Sequence, residues 1–356
     1  MLRTDSEVHE LIGHYGDPIK ELLSDPSITE ICVDHYDYVY FERNGILIDA
    51  PEVKWPNENS LVQYIKQIAN SVDQKVDKNN PLLDARLKNK TRISATLPPV
   101  AVNGAIMSIR PFPTTHRSLD DLLAGGSITS EISKMVRAAL NNRLNFIVTG
   151  GTGTGKTSFL RAMTFELDPQ ERLGLVEDTT ENIAPRHRRK FELEAPRRAR
   201  LKADDQVIDL PSLIVEALRK RPDRLGVGEF RTPGACAAFM DAMNTGHGGC
   251  FGTVHATSAR DAIARMETLY ARQAMNVPRE AISELVRHNL EFVIHLSRDV
   301  ERDRDGTTRV VRRVKEIVWI DTDGTERVLV THKIKKGYDF DTSFIDAFYN
   351  ALDTRH

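Results

Sequence analysis

The chain has 356 residues, 40% of them apolar and 28% charged, and 49 Lys and Arg against 51 Asp and Glu leave a formal net charge of −2. That length accommodates two domains with separate cores, and the balanced charge excludes a protein drawn onto nucleic acid or anionic lipid by its overall field. Three scattered cysteines, Cys32, Cys236 and Cys250, exclude a four-cysteine zinc site, and neither an apolar signal core after Met1 nor a membrane-length apolar run is present, which predicts a cytoplasmic protein.

Residues 1–112 read as a mixed α/β domain. A helical stretch at Ile19–Leu23 runs into the turn Ser24-Asp25-Pro26-Ser27, and strands are predicted at Ile28–Val33 and through the alternating Tyr36–Phe41. Asn44-Gly45 signals a hairpin into Ile46–Ile48. Apolar Leu61, Ile65, Ile68 and Ala69 recur at helical spacing within Ser60–Ala69, and β-type segments follow at Arg92–Leu97 and Ala105–Ile109. Pro111-Phe112-Pro113 and Gly125-Gly126 bracket a hinge linker placed at 113–127.

From 128 to 356 helices and strands alternate. Helices are predicted at Ile132–Leu140, Ser158–Met163 and Leu213–Lys220, and strands at Asn145–Thr149, Leu173–Val176, Leu225–Val227 and Phe251–Val254. Such alternation predicts a mostly parallel sheet whose ligands bind at the carboxyl ends of the strands. After residue 295 charge density rises through Arg298–Arg309, and Val310–Ile320 and Arg327–Lys333 flank a hairpin signal at Asp323-Gly324.

The chemistry is concentrated between these elements. Gly150-Gly151-Thr152-Gly153-Thr154-Gly155-Lys156-Thr157 satisfies G-x-x-x-x-G-K-[ST] between a predicted strand and a predicted helix that opens at Ser158. Glycines let successive N–H groups turn toward phosphate oxygens, Lys156 reaches the β- and γ-phosphates, and the Thr157 hydroxyl suits Mg²⁺. The pattern predicts ATP and Mg²⁺ as ligands. Leu225–Val227 leads through Gly228 to Glu229, which is placed to orient or deprotonate the attacking water. Gly228 stands where P-loop ATPases commonly carry a metal-holding Asp, so Glu177, Asp178 and Glu181 become the candidates for that task. His255 closes the Phe251–Val254 strand and could hydrogen-bond the γ-phosphate or the Glu229 water; His247 lies on the preceding Gly-rich turn.

Four ordered segments then resemble one family, the hexameric ATPases of the type II/type IV secretion superfamily, in the branch shared by Tad pilus and conjugative transfer machines. They are the Walker A box at 150–157, Glu177-Asp178-Thr179-Thr180-Glu181, Gly228-Glu229-Phe230-Arg231, and the histidine box at 245–256; Leu218-Arg219-Lys220-Arg221-Pro222-Asp223 also matches. The resemblance spans most of residues 20–300, with Leu23–Ile31 similar to the opening of the family's N-terminal domain. It implies an N-terminal mixed α/β domain joined to a C-terminal RecA-type P-loop ATPase domain. It also implies a homo-hexamer docked on an inner-membrane secretion or pilus platform, with no span of its own. By similarity, Arg86, Arg92 and Arg110 meet the phosphates from the N-terminal domain, and Arg219, Arg221 and Arg231 join the pool of cationic residues. Asn89-Lys90-Thr91 replaces the usual Asp-Gly-Ser before Arg92, and Thr232-Pro233-Gly234 follows Arg231 where Gly-x-Glu is common.

Two rival functions differ in class: a DNA-translocating ATPase and a low-turnover nucleotide-controlled scaffold. The basic stretch Arg186–Lys202 holds one aromatic, Phe191, which favours a loop near the nucleotide or a subunit interface over a nucleic-acid surface. Intact Lys156, Thr157 and Glu229 argue against a scaffold.

Overall fold

The computed structural model describes residues 18–43, 45–112, 117–179, 184–195, 208–302, 308–333 and 336–355. The chain divides into two compact units, Met1–Thr115 with Arg302–Val310, and His116–Glu301 with Val311–His356.

The first unit holds α1 (Lys20–Ser24), β1 (Ile28–His35), β2 (Tyr38–Arg43), β3 (Ile46–Asp49), α2 (Glu58–Ser71), β4 (Leu82–Arg86), β5 (Arg92–Thr96) and β6 (Ile106–Arg110). Its six-stranded sheet runs β3-β2-β1-β6-β5-β4, antiparallel at every pairing. Asn57 starts α2 by accepting the N–H of Ser60. Leu61, Tyr64, Ile65, Ile68 and Ala69 then fall on one face, which is buried with Ile31, Val33, Ile93, Met107 and Ile109. Each Leu, Ile, Val or Met side chain among them contributes about 1.5–3 kcal/mol on burial. Strands β4, β5 and β6 alternate strictly, so Ala85, Ile93 and Ile109 face the core and Arg86, Arg92 and Arg110 face away. Strand β4 was not predicted, because Leu82–Arg86 is short and carries Asp84 and Arg86 on its outer face.

The second unit opens with α3 (Leu119–Ala124) and α4 (Ser130–Asn141). The sequence places 113–127 in a linker, yet Ser118 and Asp121 form a reciprocal capping box that starts α3, and Leu119 and Leu122 are buried in this unit's core. The Ser-x-x-Asp spacing was the available signal. Then follow β7 (Phe146–Gly150), α5 (Lys156–Glu166), β8 (Leu173–Glu177), β9 (Lys190–Glu194), α6 (Leu210–Leu218), β10 (Arg224–Glu229), α7 (Pro233–Asn244), β11 (Phe251–Val254), α8 (Ala259–Gln273) and α9 (Arg279–Asn289). The chain ends with β12 (Phe292–Arg302), β13 (Thr308–Ile320), β14 (Glu326–Lys333), β15 (Gly337–Phe340) and α10 (Thr342–Asp353).

The nine-stranded sheet runs β15-β14-β13-β12-β7-β11-β10-β8-β9, and every pairing from β12 to β9 is parallel. Strand β7 is buried throughout, as a strand covered on both faces must be. Phe146 and Val148 pack with Phe159, Leu160 and Met163 of α5 on one side; Ile147 packs with Ile214, Phe239 and Ile263 on the other. Helix α6 begins three residues before the predicted Leu213–Lys220 because Asp209 caps it with Ser212 and Pro211 occupies its first turn.

Candidate active site

Strand β7 ends at Gly150 and α5 starts at Lys156, so the loop between them emerges at the carboxyl edge of the sheet. Gly155 is the N-cap of α5 at φ +92°, a left-handed conformation that favours glycine, and no side chain caps the helix. A helix start of this kind receives phosphate on its first N–H groups. Lys156 Nζ donates to the carbonyls of Gly150 and Gly151 at 2.9 and 3.1 Å. Thr154 is buried and its Oγ1 donates to the Gly151 carbonyl at 2.9 Å, so this side chain holds the loop to itself. Thr152 and Gly153 are exposed, Thr157 is half-buried on the first turn of α5, and Ser158 beside it is exposed.

Because β7, β11, β10 and β8 are successive parallel neighbours, their carboxyl ends put Gly150, His255, Glu229 and Glu177 in one row along the sheet edge. Glu229 ends β10, and Thr253 Oγ1 of β11 donates to the neighbouring Gly228 carbonyl at 2.6 Å. Glu177 ends β8 and is 5% exposed. A Cβ on Gly228 would lie 3.0 Å from Glu177 Cγ and 3.2 Å from Glu177 Cβ. The Glu177 side chain thus takes up the room beside residue 228, and the absence of a side chain there is what admits it. A carboxylate arriving from the next strand is a fitting oxygen donor for Mg²⁺ in place of a missing Asp. Glu181 lies outside the described residues; Asp178 follows β8, half-buried.

His255 sits half-buried directly after β11, at the P-loop edge. His247 precedes β11 and pairs with Thr245 Oγ1 at 3.2 Å, which places it at the opposite edge of the sheet. The arginines separate in the same way. Arg231 is bound to Glu229 through Nε and Nη2. Arg219 is the C-cap of α6 and pairs with Glu216 at 3.4 Å. Since α6 leads into the amino end of β10, Arg219 and the adjoining Arg221 lie at the edge opposite the P-loop. In the first unit Arg86, Arg92 and Arg110 are direct register partners across β4, β5 and β6, and Arg110 also pairs with Glu30 at 3.1 Å. Three cations therefore stand in one row on one face.

Sequence reasoning missed two features. Arg298 and Arg312 lie against the loop; the first falls in a stretch noted for its charge density and the second in a segment read only as one side of a hairpin. His295 of β12 is the register partner of Thr149, the residue before Gly150. Among the described residues, His295 Nδ1 and Thr149 Oγ1 are both buried without a hydrogen-bond partner. Burial, with the positive charges of Lys315 and Lys156, pushes the His295 imidazole down to about 4 against an opposing pull from Asp261. In the basic stretch, Arg186 donates to the Phe165 carbonyl at 2.7 Å and Arg189 to the Gln170 carbonyl at 3.1 Å, so both serve the end of α5 and the turn after it. No helix among the described residues is long and apolar enough to cross a membrane.

Residues 14–325 match the family model described as type II/IV secretion system protein. A putative conjugal transfer protein of Mycobacterium tuberculosis is 34% identical over 288 residues, covering 79% of this chain and 80% of that one. The conjugal transfer protein TrbB of Rhizobium radiobacter is 30% identical over 318 residues, 88% of this chain and 90% of its own. Among solved structures, the ATPase DotB of Legionella pneumophila superposes with a TM-score of 0.60 at 19% identity, over 90% of this chain and 83% of that one, a likeness of fold.

Proposed function

We infer, for a chain that belongs to the type II/IV secretion system protein family and is one of its P-loop ATPases, that it drives a bacterial secretion, pilus or conjugative transfer machine as a homo-hexamer. The observation that carries the chemical reading is the row of Gly150, His255, Glu229 and Glu177 along one sheet edge, with Lys156 and the uncapped start of α5 beside it.

In this reading the loop N–H groups and Lys156 hold the β- and γ-phosphates of ATP. Thr157 and Glu177 would hold Mg²⁺, which supplies positive charge to the phosphate oxygens when bound. Glu229 orients a water and takes its proton on Oε1 as the water oxygen bonds the γ-phosphorus and the bond to the bridging oxygen breaks, releasing ADP and phosphate. His255 hydrogen-bonds the γ-phosphate or that water. Arg86, Arg92 and Arg110 bring cationic charge from the first unit, of their own or a neighbouring subunit, and a cation so supplied is worth about 10³–10⁵ in rate. Arg219 and Arg221, at the far edge of their own sheet, serve only across a subunit boundary. As the family membership implies, the protein works from the cytoplasm against an inner-membrane platform protein. The bonded arginines of the basic stretch favour this reading over DNA translocation.

Phosphate release against protein concentration, with sizing of the same samples, tests it for the wild type and Glu229→Gln. Specific activity that rises with assembly and vanishes in the variant is expected. Activity independent of assembly would remove the ring, and equal negligible rates in both proteins would favour a scaffold.

A further inference from the structure

Two arginines outside every motif lie on the phosphate loop. Arg298 belongs to β12 and Arg312 to β13, which adjoin in the sheet next to β7. Arg312 Nε–H donates to the Gly153 carbonyl at 2.8 Å. A Cβ on Gly155 would lie 3.5 Å from Arg312 Cδ, and one on Gly153 would lie 3.7 Å from Arg298 Cδ. These are ordinary van der Waals separations, so both arginine stems run along the glycines of the loop.

The contact has a consequence for the loop's donors. A trans peptide unit is planar, with its C=O and N–H turned to opposite sides. The Gly153 carbonyl and the Thr154 N–H share one such unit, so a donor that fixes the carbonyl on the Arg312 side fixes the N–H on the other. Gly153 has φ +71°, and a glycine there can flip its peptide at low steric cost. A charge-assisted bond to its carbonyl opposes that flip. Arg298 and Arg312 also bring positive charge to this loop, where a polyphosphate would be attracted.

We propose that Arg312 is a positioning residue of the nucleotide site. It holds the Gly153–Thr154 peptide with its N–H turned toward bound phosphate, and Arg298 adds charge alongside. The inference rests on the reading of this loop as the ATP site, and it assigns Arg312 to holding nucleotide rather than to bond breaking. Glu229 and Glu177 stand on β10 and β8, beyond β11 from the loop.

Binding of N-methylanthraniloyl-ADP to the 356-residue chain tests it, together with the KM and kcat for ATP. Arg312→Gln is expected to weaken binding about tenfold, mainly by faster release, as suits one lost charge-assisted bond. KM should rise in proportion while kcat stays within about twofold. Arg312→Lys keeps the charge without the Nε–H geometry and should fall between wild type and the glutamine variant. Affinity of the glutamine variant within about twofold of wild type would overturn the inference. So would a fall in kcat at constant KM, or equal losses in both variants accompanied by a lower melting temperature. Should the glutamine variant fail to fold, the lysine variant decides: affinity equal to wild type overturns the proposal, and an intermediate loss supports it. Lys156→Ala separates this inference from the one beneath it. A wild type that binds no labelled ADP overturns the P-loop reading; binding lost in Lys156→Ala but kept in Arg312→Gln overturns only the role of Arg312.

Discussion

Arg231 donates from both Nε and Nη2 to a single oxygen of Glu229, Oε2, at 3.0 and 2.7 Å. The Arg231 side chain is 68% exposed and that of Glu229 is 23% exposed, so the pair sits at the rim of the sheet edge. An exposed ion pair contributes little to stability. Its effect is on orientation: with Oε2 tied to Arg231, Oε1 is the oxygen left for the water that the proposed reaction assigns to Glu229.

Arg231→Ala should therefore lower kcat about tenfold while KM stays within about twofold and the melting temperature hardly moves. Glu229→Gln removes the proposed base and should cost about 10²–10⁴ in kcat. Steady-state ATPase assays decide between the roles. A raised KM with kcat intact in Arg231→Ala would make that residue a phosphate ligand instead.

The packing of Glu177 on Gly228 predicts an unusual pairing of phenotypes. Glu177→Gln should raise the half-saturating Mg²⁺ concentration about tenfold, through loss of one anionic oxygen ligand. Gly228→Ala should do the same without touching a carboxylate, since its Cβ would meet Glu177 Cγ at 3.0 Å and push that side chain away. Turnover measured across a Mg²⁺ series checks both. An alanine variant with an unchanged Mg²⁺ requirement would show that Glu177 does not serve the metal.

The register of Arg86, Arg92 and Arg110 sets stability against function. Like charges directly opposite on neighbouring strands are destabilising, by about 0.2–1 kcal/mol a pair. Arg92 has an arginine as register partner on each side, and Arg110 pairs with Glu30. Arg92→Thr should raise unfolding stability by about 0.5 kcal/mol and lower turnover tenfold or more. Urea melts and phosphate-release assays on one preparation test this; stability and activity falling together would mean that the row is structural.

In the nine-stranded sheet, at the amino end of β10, Arg224 is 4% exposed, and its Nε and Nη2 donate to Glu171 at 2.6 and 3.3 Å. Nη2 also donates to the Leu140 carbonyl at 2.8 Å. Removing one partner of a buried pair leaves the other charge uncompensated, at a cost of about 3–5 kcal/mol. Glu171→Ala should lower stability by that order while the activity of the folded fraction, measured below the shifted midpoint, stays near wild type. Lost turnover without lost stability would contradict the assignment.

The strands that carry the site were legible because local patterns made them. Leu173–Val176 and Phe251–Val254 are short apolar runs between breakers, and each ends beside a polar residue with a task. Glu229, Glu177 and the loop could accordingly be placed at a common sheet edge from sequence alone. Position along the sheet could not be read. Arg219 and His247 sit in motifs close to those of Glu229 and His255, and only the direction of α6 and β11 shows that they occupy the other edge. Arg312 was invisible for a related reason. It is 159 residues from Gly153 in sequence, and its approach depends on β12 adding to β7 by a crossover that no local signal encodes. Helix α3 was a different failure, since proline and glycine pairs outweighed a capping box that was present.

His295 gives the pH dependence a sign. Its imidazole lies at about 4 in the folded protein against an ordinary value of 6.5, with burial as the first cause, the Lys315 and Lys156 charges adding to it, and Asp261 opposing. A depressed value means that between roughly pH 6.5 and 4 the unfolded chain binds a proton that the folded protein does not. Stability from this group is therefore complete above about pH 6.5, falls as the pH is lowered through that window, and changes no further below about 4. At about 1.4 kcal/mol per pH unit the loss reaches on the order of 3 kcal/mol. Carboxylates contribute acid sensitivity of their own, so the measurement is a difference. Urea melts of wild type and His295→Gln at pH 4.5, 5.5, 6.5 and 7.5 should diverge in slope, the variant losing less stability toward acid because glutamine cannot titrate. Parallel curves would mean that His295 takes its proton in the folded protein as readily as in the unfolded chain, and that the buried pair with Thr149 is hydrated.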